Sequence, residues 1–165
     1  PVPLYRVGGD KPVPMDRPYC IAQKAGVIQP TLWQEADGSV HMLLRSSEGR
    51  ILRSDSRDAG ETWCPAYYTA LPNNNSGIDL ARLPDGRIVL GLNPVAGDWA
   101  ARSPLSLYVS LDGALTFQPL LTLECLPGEY SYPCVRAEGA KLYVSYTWNR
   151  LKFCYWEIEL EKAAN

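Results

Sequence analysis

Residues 56–63 read Ser-Arg-Asp-Ala-Gly-Glu-Thr-Trp, a pattern S-x-D-x-G-x-T-W that constrains the fold more than any other stretch. A degraded copy follows at Ser110, Asp112, Thr116 and Phe117, with Ala114 where the first copy has Gly60. Ser56 and Ser110 are 54 residues apart, and a short turn motif repeated at that period specifies a blade-like β repeat. The octet has a local logic. Asp58 accepts hydrogen bonds from its own turn, as in an Asx-turn. Gly60 supplies a conformation that other residues reach only with strain. Thr62 bonds back to the turn, and Trp63 is expected to insert its ring between neighbouring sheets. A turn so satisfied by its own residues reads as structural.

Three segments share one plan of strand, tight turn, strand, loop and strand. The turns are Asp37-Gly38, Asp85-Gly86 and Glu138-Gly139. First strands are predicted at 27–35, 77–83 and 132–137, second strands at 40–46, 87–93 and 141–148, and third strands at 50–55, 105–110 and 151–160. They alternate or run apolar, rich in Val, Ile, Tyr and Leu. Fourth strands follow the octets at 66–70 and 119–123. No helical period appears, and the 14 prolines and 13 glycines fall mainly between strands. The expected fold is all-β: about three four-stranded antiparallel sheets, the blades of a partial or half β-propeller. Propellers close with about 4–8 blades. The chain is therefore a fragment, or two copies pair as a homo-dimer to complete a ring, or a smaller open array is stable. Residues 27–165 carry the blades. Residues 1–26, rich in Pro and Gly, read as a linker or the remnant of a preceding blade.

With 46% hydrophobic and 21% charged residues the composition is that of an ordinary globular domain. A formal charge of −2 supplies no basic field for nucleic acid and no signal for an anionic membrane surface. No apolar run approaches the roughly 18–20 residues of a membrane helix. The chain begins at Pro1 and shows no leader, which leaves its location open. Cys20, Cys64, Cys125, Cys134 and Cys154 are odd in number and include no C-x-x-C pair, so zinc and a disulfide framework are unsupported and free, buried thiols are expected. His41 is the only histidine and sits in a strand pattern, which argues against a His-based triad or a multi-His metal site. No metal and no cofactor are expected.

In an up-down-up-down blade, the start of strand one, the loop between strands two and three, and the link to the next blade share one end. The octets occupy the other end. Gln29, Arg45, Asn73, Asn74, Asn75, Asp98, Trp99, Arg102, Tyr130, Asn149 and Arg150 should therefore gather together, where loops on a rigid scaffold carry function.

The octet is the Asp-box, and over roughly residues 27–160 the chain resembles the BNR/Asp-box repeat proteins of the sialidase-like superfamily. The resemblance implies the C-terminal half of a six-bladed propeller, a sialidase-like glycoside hydrolase or the C-terminal part of one, and a glycan partner ending in an acidic sugar such as sialic acid. Sialidases clamp the sugar's carboxylate with three arginines, a task suited to a planar fork that never loses its charge. Arg45 resembles the second of them and Arg102 the third. Tyr130, in Glu129-Tyr130-Ser131-Tyr132-Pro133, resembles the nucleophilic tyrosine, an accepted departure from the usual carboxylate pair. A neutral phenol can approach an anomeric carbon already flanked by a carboxylate.

The family activates that tyrosine with a glutamate. The matching position, 16 residues before Arg45, is Gln29, which holds a hydrogen bond but takes no proton from a phenol of pKa about 10. Either Glu129, Asp79 or Asp98 substitutes, or the tyrosine is not used this way. The first arginine and the acid/base aspartate have no counterpart here, so the isolated chain is not expected to be a competent sialidase. Substrate contacts are expected from Arg45, Arg102, Asn74, Asn75, Asp79, Arg150 and Trp99, whose ring can stack on a sugar. Two further readings stand beside the enzyme: a non-catalytic glycan-binding or scaffolding propeller, and an inactive truncated product.

Overall fold

Tight turns and alternating apolar residues fold the chain into successive antiparallel meanders, seen in a computed structural model that describes residues 5–7, 12–14 and 26–161. Strands β1 (Tyr5–Val7) and β2 (Pro12–Pro14) form a two-stranded ladder. The rest of the segment 1–26 lies outside the described residues, apart from Gly26. The first sheet comprises β3 (Val27–Gln34), β4 (Val40–Ser46), β5 (Arg50–Ser56) and β6 (Tyr67–Pro72). The second comprises β7 (Asp79–Arg82), β8 (Ile88–Leu92), β9 (Leu105–Ser110) and β10 (Gln118–Glu124). The third comprises β11 (Tyr130–Glu138), β12 (Lys141–Trp148) and β13 (Lys152–Glu159). In every sheet neighbours in sequence are neighbours in space. No helix occurs among the described residues.

The third sheet has the three strands that its pattern predicts, and no fourth strand pairs with β13 among the described residues. Phe153 and Tyr155 on this edge are 78% and 57% exposed.

The second sheet is covered on both faces. All five residues of β8 are buried, which is why Ile-Val-Leu-Gly-Leu runs apolar without alternation. One face packs Ile88, Leu90 and Leu92 against Trp33, Leu43 and Ile51 of the first sheet. The other packs Val89, Leu105 and Leu107 against Val135, Leu142 and Val144 of the third. Gly91 is required by this approach, since a Cβ there would lie 3.0 Å from Pro133 and 3.2 Å from Val135.

One carboxylate ties the three innermost strands together. Asp79 on β7 accepts the Thr31 hydroxyl of β3 at 2.9 Å through Oδ1. Through Oδ2 it accepts the Val135 amide of β11 at 2.8 Å and Arg136 Nη1 at 3.3 Å. Thr31 Oγ1 in turn accepts the Leu80 amide at 3.2 Å.

Both octets form the expected self-satisfied turn. Ser56 Oγ donates to Asp58 at 2.7 Å and accepts the Gly60 amide at 2.8 Å. Thr62 donates to Asp58 through its amide at 2.8 Å and its hydroxyl at 2.5 Å. Ser110, Asp112, Ala114 and Thr116 repeat the pattern. Ala114 holds φ 62° at the glycine position. The aromatic positions differ. Phe117 packs in the core between the first two sheets. Trp63, expected between sheets, packs against Met42, Leu44 and Leu52 on the first sheet's opposite face. Each ring covers the upstream side of its own sheet, and no other described sheet packs there on the first.

The thiols also depart from expectation. Cys64, Cys125, Cys134 and Cys154 are free, but Cys125 and Cys134 are exposed, one on a loop and one on an outward-pointing position of β11. Cys20 lies outside the described residues.

Two outcomes follow. Asp79→Ala strands the Val135 amide and the Thr31 hydroxyl and should cost about 2 kcal/mol, read as a lower urea midpoint, with Asp79→Asn costing less. Hydrogen bonds, first from the Thr62 and Thr116 hydroxyls, hold Asp58 and Asp112 at a pKa of about 2, below the ordinary 3.8. A depressed folded-state pKa contributes stability that is full above pH 3.8 and lost as pH falls towards 2. Denaturation midpoints should drop across that window, and Asp58→Asn with Asp112→Asn should flatten the drop.

Candidate functional site

The end of the sheets opposite the octets gathers the start of β3, the end of β4, the loops before β7 and β9, the start of β11 and the β12–β13 turn. Two inner strands are irregular there. The β3–β4 register shifts between Ile28 and Pro30, which throws Gln29 out of the ladder. The β11–β12 register shifts between Ser131 and Cys134, which does the same to Tyr132. A bulge re-aims a side chain and often marks a site. Left-handed backbone accompanies both, with φ 50° at Gln29 and 55° at Tyr132. Asn75, Trp99, Asn149 and Arg150 at this end share it. Among the described residues, Ala59 and Ala114 of the octets are the other non-glycine positions with positive φ. Strain of this kind concentrates where surrounding structure over-determines it, commonly at functional sites.

Arg45, Arg102, Gln29 and Tyr132 form the centre. Arg45 is 7% exposed. Its Nη1 donates to Gln29 Oε1 at 2.5 Å and its Nε to Asn75 Oδ1 at 3.2 Å. Among the described residues no carboxylate pairs with it. The Arg102 guanidinium stands 5.4 Å from the centre of the Tyr132 ring. Hydrogen bonding from Arg102, reinforced by its charge and by Arg45, holds the Tyr132 phenol below the usual tyrosine range. Gly77 makes room for this ring, since a Cβ would lie 3.1 Å from Tyr132 Cδ1 and 3.8 Å from Gln29 Oε1.

Tyr130, the tyrosine expected at the site, is not part of this group. It is 2% exposed and packs in the core between the second and third sheets. Its ring covers Gly128 and tilts against Trp148 at 6.4 Å, and burial pushes its phenol up. Strict alternation would send Tyr130 and Tyr132 the same way; the bulge separates them and exposes Tyr132 by 47%.

Asn74 and Asp79 also fall outside the centre. Asn74 is 1% exposed and donates to the Ala101 carbonyl at 2.6 Å, pinning the loop before β9. Asp79 is occupied by the three inner strands. Asn75 does join the group, bridging Arg45 to Asp98, whose Oδ1 accepts its amide at 2.7 Å. Glu129 is the central carboxylate. It accepts Arg102 Nη1 at 3.1 Å and Arg150 Nε at 2.8 Å on the same oxygen. Trp99, Arg102, Glu129 and Arg150 line a cavity of about 300 Å3. Sequence reasoning missed Tyr132 as a site residue; its only signal was its place two residues from a matching tyrosine.

His41 lies at the octet end. Its Nδ1 is 2.5 Å from Asp55 Oδ1 and its Nε2 3.1 Å from Ser39 Oγ. A serine and a carboxylate do flank the histidine, against the expectation from its strand position, because β4 and β5 place His41 directly opposite Asp55. The Ser39 hydroxyl is engaged by Asp37 at 2.6 Å. Asp55 is shared with Arg53 and Tyr67, and Arg53 reaches across to the Gly113 and Ala114 carbonyls. The cluster joins the two octet-bearing sheets.

A family model described as a BNR repeat-like domain matches residues 11–144. No curated protein sequence matches the chain. Among solved structures, the α-L-arabinofuranosidase Arb93a from Fusarium graminearum superposes with a TM-score of 0.61 at 17% identity, over 79% of this chain and 45% of that one. The NanB sialidase from Streptococcus pneumoniae gives 0.62 at 17% identity, over 92% and 26%. The Trypanosoma rangeli sialidase gives 0.63 at 17% identity, over 86% and 24%. The chain spans less than half the length of each. These likenesses carry the fold: the three sheets are β-propeller blades.

The Tyr132 environment is directly measurable. The phenol should ionise below pH 10 in the difference between ultraviolet titrations of the wild-type chain and Tyr132→Phe. Arg102→Ala should move that ionisation upward.

Proposed function

The chain belongs to the BNR repeat-like domain family, and on that premise we propose that it supplies the arginine-lined part of a sialidase-like glycosidase site for a terminal acidic sugar such as sialic acid. One observation carries the reading. Arg45 is a nearly buried guanidinium whose partners among the described residues are the amides of Gln29 and Asn75 and the Tyr132 phenol. A buried charge without an opposite charge is costly, and a ligand carboxylate supplies that charge in the geometry that arginine binds best.

Tyr132 takes the part of the nucleophile. Its oxygen lies within reach of two guanidiniums that favour the phenolate. In the proposed step that oxygen bonds to the anomeric carbon as the glycosidic carbon–oxygen bond breaks, the aglycone leaves as an alcohol with a proton drawn from solvent, and water later displaces the tyrosine. Gln29 orients Arg45 and takes no proton. Glu129, bound to Arg102, is the carboxylate nearest this chemistry in the network and the candidate base. The same Gln29 favours a second reading, in which the site binds an acidic sugar without turning it over.

Binding and turnover separate these. N-acetylneuraminic acid should bind the chain, and Arg45→Ala should weaken it about 10–100-fold. Unchanged affinity in Arg45→Ala refutes the carboxylate clamp. Where a fluorogenic sialoside is cleaved, Tyr132→Phe should abolish turnover with binding changed less than about threefold. Binding with no turnover by the wild-type protein selects the second reading.

A further inference from the structure

We infer that Ser39, His41 and Asp55 form a second catalytic site, at the octet end, which hydrolyses small carboxylic esters through an acyl-serine intermediate. It lies at the opposite end of the sheets from the Arg45–Tyr132 centre and stands independently of the function proposed there.

The three side chains are ordered as a nucleophile, a base and an orienting carboxylate. His41 Nδ1 is 2.5 Å from Asp55 Oδ1, so this nitrogen carries a proton and donates it. On the neutral ring Nε2 is then the acceptor, 3.1 Å from the Ser39 hydroxyl. Trp33 stacks on the imidazole with ring centres 4.9 Å apart, which fixes its plane. Burial works against the charge on Asp55, yet hydrogen bonds from Tyr67, His41 and Arg53 hold its carboxyl below the ordinary carboxylate range. Beside the three lies a cavity of about 420 Å3 walled by Tyr67, Leu115 and Arg57. Leu115 gives it an apolar side for a short acyl group. Arg57 has no carboxylate partner among the described residues, and its guanidinium is available to the carbonyl oxygen as that oxygen gains charge.

The blade plan does not require these residues. The second sheet builds the same turn and register without them. Asp85 accepts the Arg87 amide as Asp37 accepts that of Ser39, and Val89 faces Val109 where His41 faces Asp55. Arg87, Val89 and Val109 thus stand in the places of Ser39, His41 and Asp55. The bonds that join the two sheets here run from Arg53 to the Gly113 and Ala114 carbonyls and pass through neither Ser39 nor His41.

In the reaction Ser39 Oγ bonds to the ester carbonyl carbon while His41 Nε2 takes its proton. The alcohol leaves with that proton. Water, deprotonated by the same nitrogen, then splits the acyl–serine bond and the hydroxyl is restored. Asp37 competes for the nucleophile, because the Ser39 hydroxyl donates to it at 2.6 Å and must rotate to Nε2 before attack.

The full chain is to be treated with a fluorophosphonate, from which a serine oxygen displaces fluoride, and the adduct located by peptide mass mapping; p-nitrophenyl acetate reports turnover. The adduct should sit on Ser39, and Ser39→Ala should abolish both adduct and turnover. His41→Gln should slow adduct formation about 100-fold. Asp37→Asn, which keeps the turn but holds the hydroxyl less firmly, should speed it about threefold. A wild-type chain with no adduct on Ser39 overturns the site, as does turnover that survives Ser39→Ala. A rate unmoved by His41→Gln, or lost in Asp37→Asn, makes Asp37 the base and overturns the triad.

Discussion

The Asp79 carboxylate sets the geometry on which the rest depends. Its two oxygens fasten β7 to Thr31 of β3 and to Val135 of β11, so the innermost strands of three sheets meet at one side chain. Apolar packing between the sheets is strong but non-directional, and flat faces can slide. A carboxylate with two fixed donors cannot be satisfied at another offset. The consequence appears two or three residues upstream on each strand. Gln29, Gly77 and Tyr132 precede Thr31, Asp79 and Val135, and they lie against one another. The latch is structural, and its product is the alignment of a site formed by residues from different sheets.

That alignment is then used by backbone that departs from regular β geometry. Two bulges and six left-handed residues crowd this end, each costing on the order of 1 kcal/mol. The middle sheet, buried on both faces, supplies the rigid support that tolerates such departures. The octet end shows the contrast. Ala59 and Ala114 are strained there too, but inside turns closed by their own serine and aspartate. At the site end Asn149 and Arg150 close the β12–β13 turn, while the bulges at Gln29 and Tyr132 re-aim side chains.

Period, strand order and the opposition of the two ends were legible in the sequence because they depend on local patterns. The octets, the Asp-Gly turns and the alternation placed β4, β9 and β12 at 40–46, 105–110 and 141–148 as observed. The placement of Arg45 and Arg102 at one end was legible from the strand directions. What escaped was set by bulges and by tertiary contacts. Tyr130 and Tyr132 have the same alternation phase, so pattern alone cannot tell which is buried. Asn74 and Asn75 are chemically identical neighbours. One serves the loop before β9 and the other serves Arg45, and Asn75 takes left-handed backbone at φ 58°.

The two arginines are not equivalent, and the difference bears on the chemistry. Arg102 is already neutralised by Glu129, which Arg150 also holds; Arg45 has amides and a phenol. An incoming carboxylate therefore gains most at Arg45 and must compete with Glu129 at Arg102. Once bound there it screens the guanidinium that helps depress the Tyr132 phenol, and the phenol moves back towards its ordinary range. Since Gln29 cannot accept the proton, turnover on the proposed reading requires Glu129 to take it. That in turn requires Arg102 to exchange Glu129 for the substrate's carboxylate, so binding and activation become one event.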